Sequence, residues 1–146
     1  MKDNLIMVAV DSSEECVPAY RAALRLCDQL GARLCLLHVV ERHDLAHVKR
    51  AAAWLERHGL TDNDVRTVPG TAWVQIVRQV EDLEPVLLVV GSHGVGGYQP
   101  ITPGSTAALL IVRSPTPVLV VPSRPASIGR RLTQTTVNPN HGSDDA

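Results

Sequence analysis

A run of five aliphatic residues near the middle of the chain, residues 86–90, places the strongest constraint on the fold. The run lacks the polar alternation of a half-exposed strand, and is therefore typical of a strand covered on both faces, as in a parallel sheet. Four glycines follow within residues 91–97. Glycine accepts positive φ and lets a ligand approach the backbone. The stretch predicts a buried parallel strand that ends in a glycine-rich loop.

The chain then returns to helical sequence at Gly104 and Ser105. The serine hydroxyl is suited to cap a helix over residues 106–113. A strand, a glycine-rich loop and a helix N-terminus together form an anion site, because backbone amides and the helix dipole both favour negative charge. The stretch therefore predicts a phosphate site, although an ordinary turn between a strand and a helix could have the same outline.

Composition excludes several classes of protein. The chain has 146 residues and a formal net charge of −1, so it offers no excess of Lys and Arg for nucleic acid or an anionic membrane surface. Its apolar runs are far shorter than a bilayer span, and its first residues lack the pattern of a signal peptide. Cys16, Cys27 and Cys35 are odd in number and lack zinc-site spacing, which favours reduced thiols. We expect a cytoplasmic protein.

Strand-like and helix-like segments alternate along the chain. Apolar runs predict strands over residues 5–10, 33–40, 65–68, 86–90 and 118–121, the third being a weak edge strand. Four helical segments separate them, so the pattern is β-α-β-α-β-α-β-α-β. Parallel strands joined by helical crossovers form a sheet that is covered on both faces. We predict a single α/β domain over residues 1–122, followed by a polar, flexible tail over residues 123–146.

The helices carry their own boundary signals. Ser12 with Glu15 fits a capping box for the first helix, whereas Pro18 favours a later start or a loosened first turn. The apolar stripes that should face the core are Tyr20, Ala23, Leu24, Cys27 and Leu30, then Leu45, Val48, Ala52 and Leu55, then Trp73, Ile76, Val77, Val80 and Leu83. Gly31, Gly59 and the Glu84-Pro85 pair end the three helices.

The glycine spacing resembles a known family. Gly91, Gly94, Gly104 and Ser105 match the G-x2-G-x9-G-[ST] motif of the ATP-binding universal stress proteins. Residues 91–98 are similar to that family's GS-x-G-x-GGF loop. Residues 113–121 are similar to its R-x-x-PCPVLVV ending, with Thr116 in place of the usual cysteine. The resemblance covers residues 3–122.

This resemblance implies a Rossmann-like, doubly wound sheet of order 3-2-1-4-5, of the adenine nucleotide alpha hydrolase-like type. In such a sheet, strands 1 and 4 flank the switch point where ligands bind. The resemblance also implies ATP, with Mg²⁺, as the ligand, and a homodimer formed through residues 118–121. The implied binding residues are Val10, Asp11, Ser12, Val39, Val90, Gly91, Ser92, His93, Gly94, Gly104, Ser105 and Thr106.

The resemblance assigns different parts of the nucleotide to these residues. Asp11 with its neighbouring backbone would face the base and ribose, the Val39 backbone would contact adenine, and Gly91 would lie near the ribose. His93, Gly94 and residues 104–106 would line the triphosphate. Pro100 and Pro103 depart from the family pattern and are expected to affect affinity.

Several residues have a structural alternative. Asp11 could simply cap a helix, and Ser12 could be a cap or a ligand contact. His93 could be a solvated loop residue or a donor to phosphate. The Ser105 hydroxyl could cap the helix or bind phosphate. His38 falls in a strand without an evident partner triad, which favours a structural role.

Three functions fit the sequence. The first is an ATP-binding regulator in the stress response, which needs recognition alone. The second is a slow ATPase in which His93 or Asp11 aligns water; the loop is followed by neither a Walker lysine nor an arginine finger, so we identify no catalytic residue. The third is a dimeric interaction protein that binds no nucleotide.

Overall fold

The computed structural model describes residues 3–41, 45–60, 65–93 and 104–123. The elements alternate as the sequence predicts, with a short 3-10 helix Glu14–Cys16 ahead of the first α-helix. In chain order they are β1 Leu5–Val10, α1 Val17–Leu30, β2 Arg33–Val40, α2 Leu45–Arg57, β3 Val65–Pro69, α3 Ala72–Leu83, β4 Leu87–Gly91, α4 Ser105–Arg113 and β5 Val118–Val121.

All strand pairs are parallel, and the sheet order is β3-β2-β1-β4-β5. The predicted doubly wound fold and its strand order are thus confirmed. Strand β1 lies at the centre, where Val8 is opposite Leu36 of β2 and Val89 of β4. The weak third strand lies at one edge, as its interrupted apolar pattern predicts.

Both faces of the sheet are covered by apolar side chains. On one face Ile6 and Val8 belong to a core with Tyr20 of α1 and Trp54 of α2. On the other face Leu88 belongs to a core with residues of α3 and α4. Because successive strand residues point to opposite faces, the unalternating runs of β1 and β4 fill both cores at once.

The start of α1 differs from the predicted capping box. The helix begins at Val17 with Pro18 in its first turn, and no side-chain hydrogen bond caps it. Proline lacks an N–H and is tolerated only in the first turn, so it forces the later start that was the alternative prediction. Gly31 ends the helix with a φ of 61°, as predicted.

The predicted buried stripe of α2 is wrong at Val48 and Ala52, whereas Leu55 of the same stripe packs against the core. Val48 is 53% exposed and Ala52 is also exposed, whereas Trp54 is fully buried between α2 and the sheet. Burial of the large indole outweighs that of the smaller aliphatic residues, and it rotates the helix relative to the predicted face. The helix is followed by Gly59 in the left-handed region, as expected.

Helix α3 and strand β4 lie close to their predicted bounds. The predicted apolar positions Ile76 and Val80 are buried, and Trp73 packs against the same core, which agrees with its expected core role. The helix ends before Glu84, which adopts φ 47°. Val86, predicted as the first residue of β4, lies outside the strand and is 48% exposed.

Several predictions lie outside the described residues. They concern Gly94 of the loop, Pro100 and Pro103, and nearly all of the tail over residues 123–146. In the part of the chain that the structure does describe, no helix is both long and apolar enough to cross a bilayer.

Candidate functional site

The two central strands stop pairing before they end. The ladder between β1 and β4 ends where Val8 lies opposite Val89. Strand β1 continues alongside β2 to Val10, and β4 continues alongside β5 to Gly91. A crevice between neighbouring strands at their carboxyl ends is where doubly wound sheets bind ligands. The structure therefore places a candidate site between β1 and β4.

The turn after β1 lies directly against the end of β4. A Cβ atom built on Gly91 would lie 3.5 Å from the Glu15 carbonyl oxygen and 3.8 Å from the Cys16 Cα. These are ordinary van der Waals contacts, so the two backbones are in close approach. The turn that begins at Asp11 and the end of β4 thus share one rim of the sheet, although about 80 residues separate them in sequence.

Asp11 holds the turn after β1 in shape. Its Oδ1 accepts hydrogen bonds from the Ser13 backbone N–H, at 3.0 Å, and from the Ser13 hydroxyl. An aspartate that bonds a backbone amide two residues later forms an Asx turn, which reverses the chain at the end of a strand. This contact agrees with the capping alternative for Asp11, and it fixes the carboxylate at the rim of the crevice.

Sequence reasoning missed a contact between Ser12 and His38. The Ser12 Oγ lies 3.1 Å from the His38 Nε2, and His38 is only 5% exposed. Residue 38 lies opposite Val10 in the β1–β2 ladder, so its side chain is adjacent to the turn after β1. The predicted strand order contains the signal that could have found this pair, because it makes β1 and β2 neighbours.

The segment after β4 connects to helix α4 through its backbone. The Gly104 N–H donates a hydrogen bond to the Ser92 carbonyl oxygen, and the Ser92 Oγ lies 3.0 Å from the His93 Nδ1. The His93 ring is buried, and its Cδ2 would lie 4.0 Å from a Cβ on Gly104. The structure therefore brings His93 and the start of α4 together at the rim.

Helix α4 begins one residue earlier than predicted. Its N-cap residue is Gly104, with φ −60° and ψ 163°, and Ser105 is the first helical residue. The prediction of Ser105 as the cap is therefore wrong, because the backbone already turns into the helix at this serine. The hydroxyl of Ser105 is exposed, and no side-chain hydrogen bond caps α4 among the described residues.

At the other two described turns of this rim, a carboxylate of the protein itself accepts a hydrogen bond from the backbone. Glu41 Oε1 accepts a hydrogen bond from the Ala72 N–H in the first turn of α3, at 2.7 Å. Asp11 serves the 3-10 turn before α1 through Ser13. The first-turn amides of a helix have no acceptor within the helix itself. No described carboxylate caps α4, so its first turn differs in this respect from that of α3, which already holds a negative group.

The remaining predicted residues lie at the same rim. Val10, Val39 and Val90 are buried near the ends of β1, β2 and β4, so their backbones and not their side chains line the edge. Gly91 and Ser92 are half-buried, and Thr106 lies in the first turn of α4. All predicted site residues except Gly94 are described, and they come from the four segments around the crevice.

One ionisable side chain near the crevice, the Cys16 thiol, is unsuited to chemistry there. Burial, followed by the nearby Asp11 carboxylate, raises the pKa of the Cys16 thiol to about 12. The thiol donates to the Ser13 carbonyl oxygen at 2.9 Å. It therefore stays protonated at neutral pH, and a protonated thiol is a poor nucleophile and metal ligand.

Comparisons with known proteins agree with this architecture. The model of the universal stress protein family matches residues 4–66 and 45–122. The universal stress protein Rv2028c of Mycobacterium tuberculosis is 30% identical over 161 residues, a match that covers 98% of this chain and 57% of that protein. The chain thus spans a little over half the length of this relative.

Solved structures share the fold. Universal stress protein UspA from Lactobacillus plantarum superposes with a TM-score of 0.65 at 23% identity, covering 83% of this chain and 99% of that one. A universal stress protein crystallised in complex with cAMP superposes with a TM-score of 0.60 at 24% identity, covering 84% of this chain and 98% of that one.

Proposed function

Because the chain belongs to the universal stress protein family, we propose that it binds an adenine nucleotide in the crevice between β1 and β4. The preferred ligand in this proposal is ATP with Mg²⁺, and the protein acts as a nucleotide-responsive regulator in the cytoplasm during stress. The observation that carries the proposal is the start of α4 beside the crevice, at a glycine cap with no side chain of its own.

The phosphates would lie at the start of α4. The Gly104 N–H is already committed to the Ser92 carbonyl oxygen, so the amides offered to an anion are those that follow, from Ser105 and Thr106 onward. The absence of a Cβ at position 104 lets phosphate oxygens approach the helix axis. The His93 ring lies beside this position and is placed to donate to a phosphate oxygen.

The base and ribose would occupy the crevice itself. Strand β2 continues past its last pairing with β1, at His38, to Val39 and Val40, which pair with β3 alone among the described strands. Backbone groups near Val39 are therefore available at the rim to contact adenine. Asp11, which follows β1 on the same side of the crevice, would be an acceptor for the ribose hydroxyls or the base amine. A universal stress protein solved with cAMP supports an adenine nucleotide as the ligand class.

The residues present fit Mg²⁺ that is carried by the nucleotide. Among the described residues, no three His, Cys, Asp or Glu side chains are grouped to hold a metal ion. Mg²⁺ commonly keeps several waters and binds through phosphates with only one or two carboxylates. Asp11 would supply such a carboxylate at the end of β1, and bound Mg²⁺ would neutralise part of the phosphate charge.

A homodimer through β5 is the second part of the proposal. Among the described residues β5 pairs with β4 alone, and no described strand lies along its other edge. Leu119 on this strand is 38% exposed, and Ile111 and Val112 on α4 are 54% and 78% exposed. An apolar edge strand beside an apolar helix face is suited to pairing with a second copy of the chain.

Calorimetric titration of the full chain tests the ligand. We expect heat on addition of ATP with Mg²⁺, and weaker binding of AMP and cAMP, which lack the terminal phosphates. Undetectable binding of all three at millimolar nucleotide would refute the proposal. Sustained phosphate release that Gly104→Val abolishes in a folded protein would instead favour the slow ATPase.

A further inference from the structure

The turn after β1 contains a residue in an unfavourable backbone conformation. Ser12 has φ 66°, and Glu84 is the other non-glycine residue of the described chain with positive φ. For a residue with a Cβ, the left-handed region carries an energetic cost, and such conformations persist only where neighbouring contacts enforce them. Residue 12 lies between Asp11 and Ser13, so its conformation brings Ser13 to the Asp11 carboxylate that accepts its hydrogen bonds.

The buried imidazole of His38 supplies such a contact. Its Nε2 lies 3.1 Å from the Ser12 Oγ, and His38 forms the last pair of the β1–β2 ladder, opposite Val10. Strand β2 is rigid, since it pairs with β1 on one side and with β3 on the other. A hydrogen bond to a fixed, buried partner therefore orients the hydroxyl and with it the turn.

We propose that the hydrogen bond between Ser12 and His38 is a positioning contact that holds the Asp11 turn in its nucleotide-binding conformation. This inference rests on the proposed function. His38 touches no part of the nucleotide in this arrangement. It acts through Ser12, by keeping the turn against Gly91 and the Asp11 carboxylate at the crevice.

Glycine at position 12 distinguishes positioning from direct contact. Glycine adopts the left-handed region without the Cβ cost, so a turn with Ser12→Gly no longer needs the hydrogen bond. Ser12→Ala keeps the Cβ and removes the hydroxyl. If the hydroxyl only positions the turn, the glycine variant binds nucleotide well and the alanine variant binds poorly. If the hydroxyl contacts the nucleotide, both variants bind poorly.

The binding experiment uses six variants of the full chain, Ser12→Gly among them, and ATP with Mg²⁺. We expect Ser12→Ala and His38→Leu each to raise the Kd by about five- to tenfold, and the double variant Ser12→Ala/His38→Leu to be no worse than either. His38→Gln retains a side-chain amide and should bind within about twofold of the unsubstituted protein. Ser12→Gly/His38→Leu should recover most of the loss.

The reactivity of the Cys16 thiol measures how firmly the same turn is held, and it does so without any nucleotide. The thiol is 4% exposed and donates to the Ser13 carbonyl oxygen, so it should react with a maleimide faster when the turn loosens. Peptide mass spectrometry after pulse labelling resolves this thiol from Cys27, which is buried farther along α1 and serves as the internal control. Labelling of Cys16 should rise in Ser12→Ala and His38→Leu and return to normal in Ser12→Gly/His38→Leu.

The outcomes separate this inference from the proposed function. Poor binding by Ser12→Gly, or no recovery in Ser12→Gly/His38→Leu, overturns the positioning role. Equal Cys16 labelling in all variants overturns it as well. If the unsubstituted protein binds no nucleotide while the labelling pattern appears, the proposed function fails and the control of the turn by His38 is supported.

Discussion

The Gly104 amide donates a hydrogen bond to the Ser92 carbonyl oxygen, which fixes the start of α4 against the end of β4. This bond uses the amide of the cap residue. Because that residue is glycine, it has no side chain that could cap the amides of the first turn. A Cβ at position 104 would lie 3.1 Å from the same Ser92 oxygen, a distance that needs a shift of only a few tenths of an ångström. The φ of −60° at Gly104 is one that any residue adopts, so a side chain at this position brings no backbone strain of its own.

Gly104→Asp should abolish binding of ATP while the protein stays folded. Aspartate is a favourable N-cap, so its carboxylate would bond the first amides of α4 and repel the phosphates. Gly104→Asn has the same shape without the charge, and it is the matched control. We expect its loss of affinity to be at least about tenfold smaller. Titration calorimetry measures both, and equal affinities would contradict a phosphate site at α4.

The edge strand gives a prediction about assembly. Leu119→Lys should convert a dimer to a monomer, because a lysine on an outward edge opposes strand pairing. Val48→Lys on α2 is the control, since Val48 is also half-exposed but lies on a helix distant in sequence from β5. Light scattering with size-exclusion chromatography gives the mass of each variant. A dimer that survives Leu119→Lys would place the interface elsewhere.

Most of the sheet could be predicted from the sequence, because its strands are continuous aliphatic runs. The bounds of β1, β2 and β5 agree with the prediction to the residue. The order of the strands came from the family resemblance and not from the runs themselves. Parallel strands buried on both faces admit few substitutions, so their pattern is unambiguous.

Side-chain partners across the sheet could not be predicted in the same way. The hydrogen bond between Ser12 and His38 depends on the register of two strands and on a positive φ at residue 12. Neither the strand register nor the φ of residue 12 can be predicted from a single sequence. The face of α2 was wrong for a related reason: the 3.6-residue period allows several stripes, and the packing of one tryptophan decides between them.

The corrected face of α2 makes Val48 tolerant to substitution. Because its side chain is 53% exposed, Val48→Asp should change the free energy of unfolding by no more than about 0.5 kcal/mol. The stripe predicted from sequence would require a loss of about 2 kcal/mol or more. Urea denaturation distinguishes these outcomes, and a large loss would restore the original prediction.

Trp54 should matter through its volume and not through its indole nitrogen. Its side chain is fully buried, with ring centroids 5.7 Å from Tyr20 and 4.4 Å from His58, yet the Nε1 has no hydrogen-bond partner among the described residues. Trp54→Ala should cost about 3–5 kcal/mol because it leaves a cavity. Trp54→Phe should cost about 1 kcal/mol, since it also removes an unpaired buried donor. Urea denaturation compares the two, and equal costs would contradict this account.

The Cys16 thiol should make stability fall at alkaline pH. Its pKa is raised from 9.0 to about 12 on folding, chiefly by burial, so between these values the unfolded chain releases the thiol proton while the folded chain keeps it. The unfolded state is then favoured, and the stability contributed by the protonated thiol is present below pH 9.0 and is lost as the pH rises towards 12.

Relative to Cys16→Ala, the unsubstituted protein should lose about 1 kcal/mol of unfolding free energy between pH 8 and pH 10. Urea denaturation at both pH values measures this difference, in which Cys27 and Cys35 cancel because both proteins retain them. A difference that stays constant with pH would show that the Cys16 thiol ionises as readily in the folded protein as in the unfolded chain.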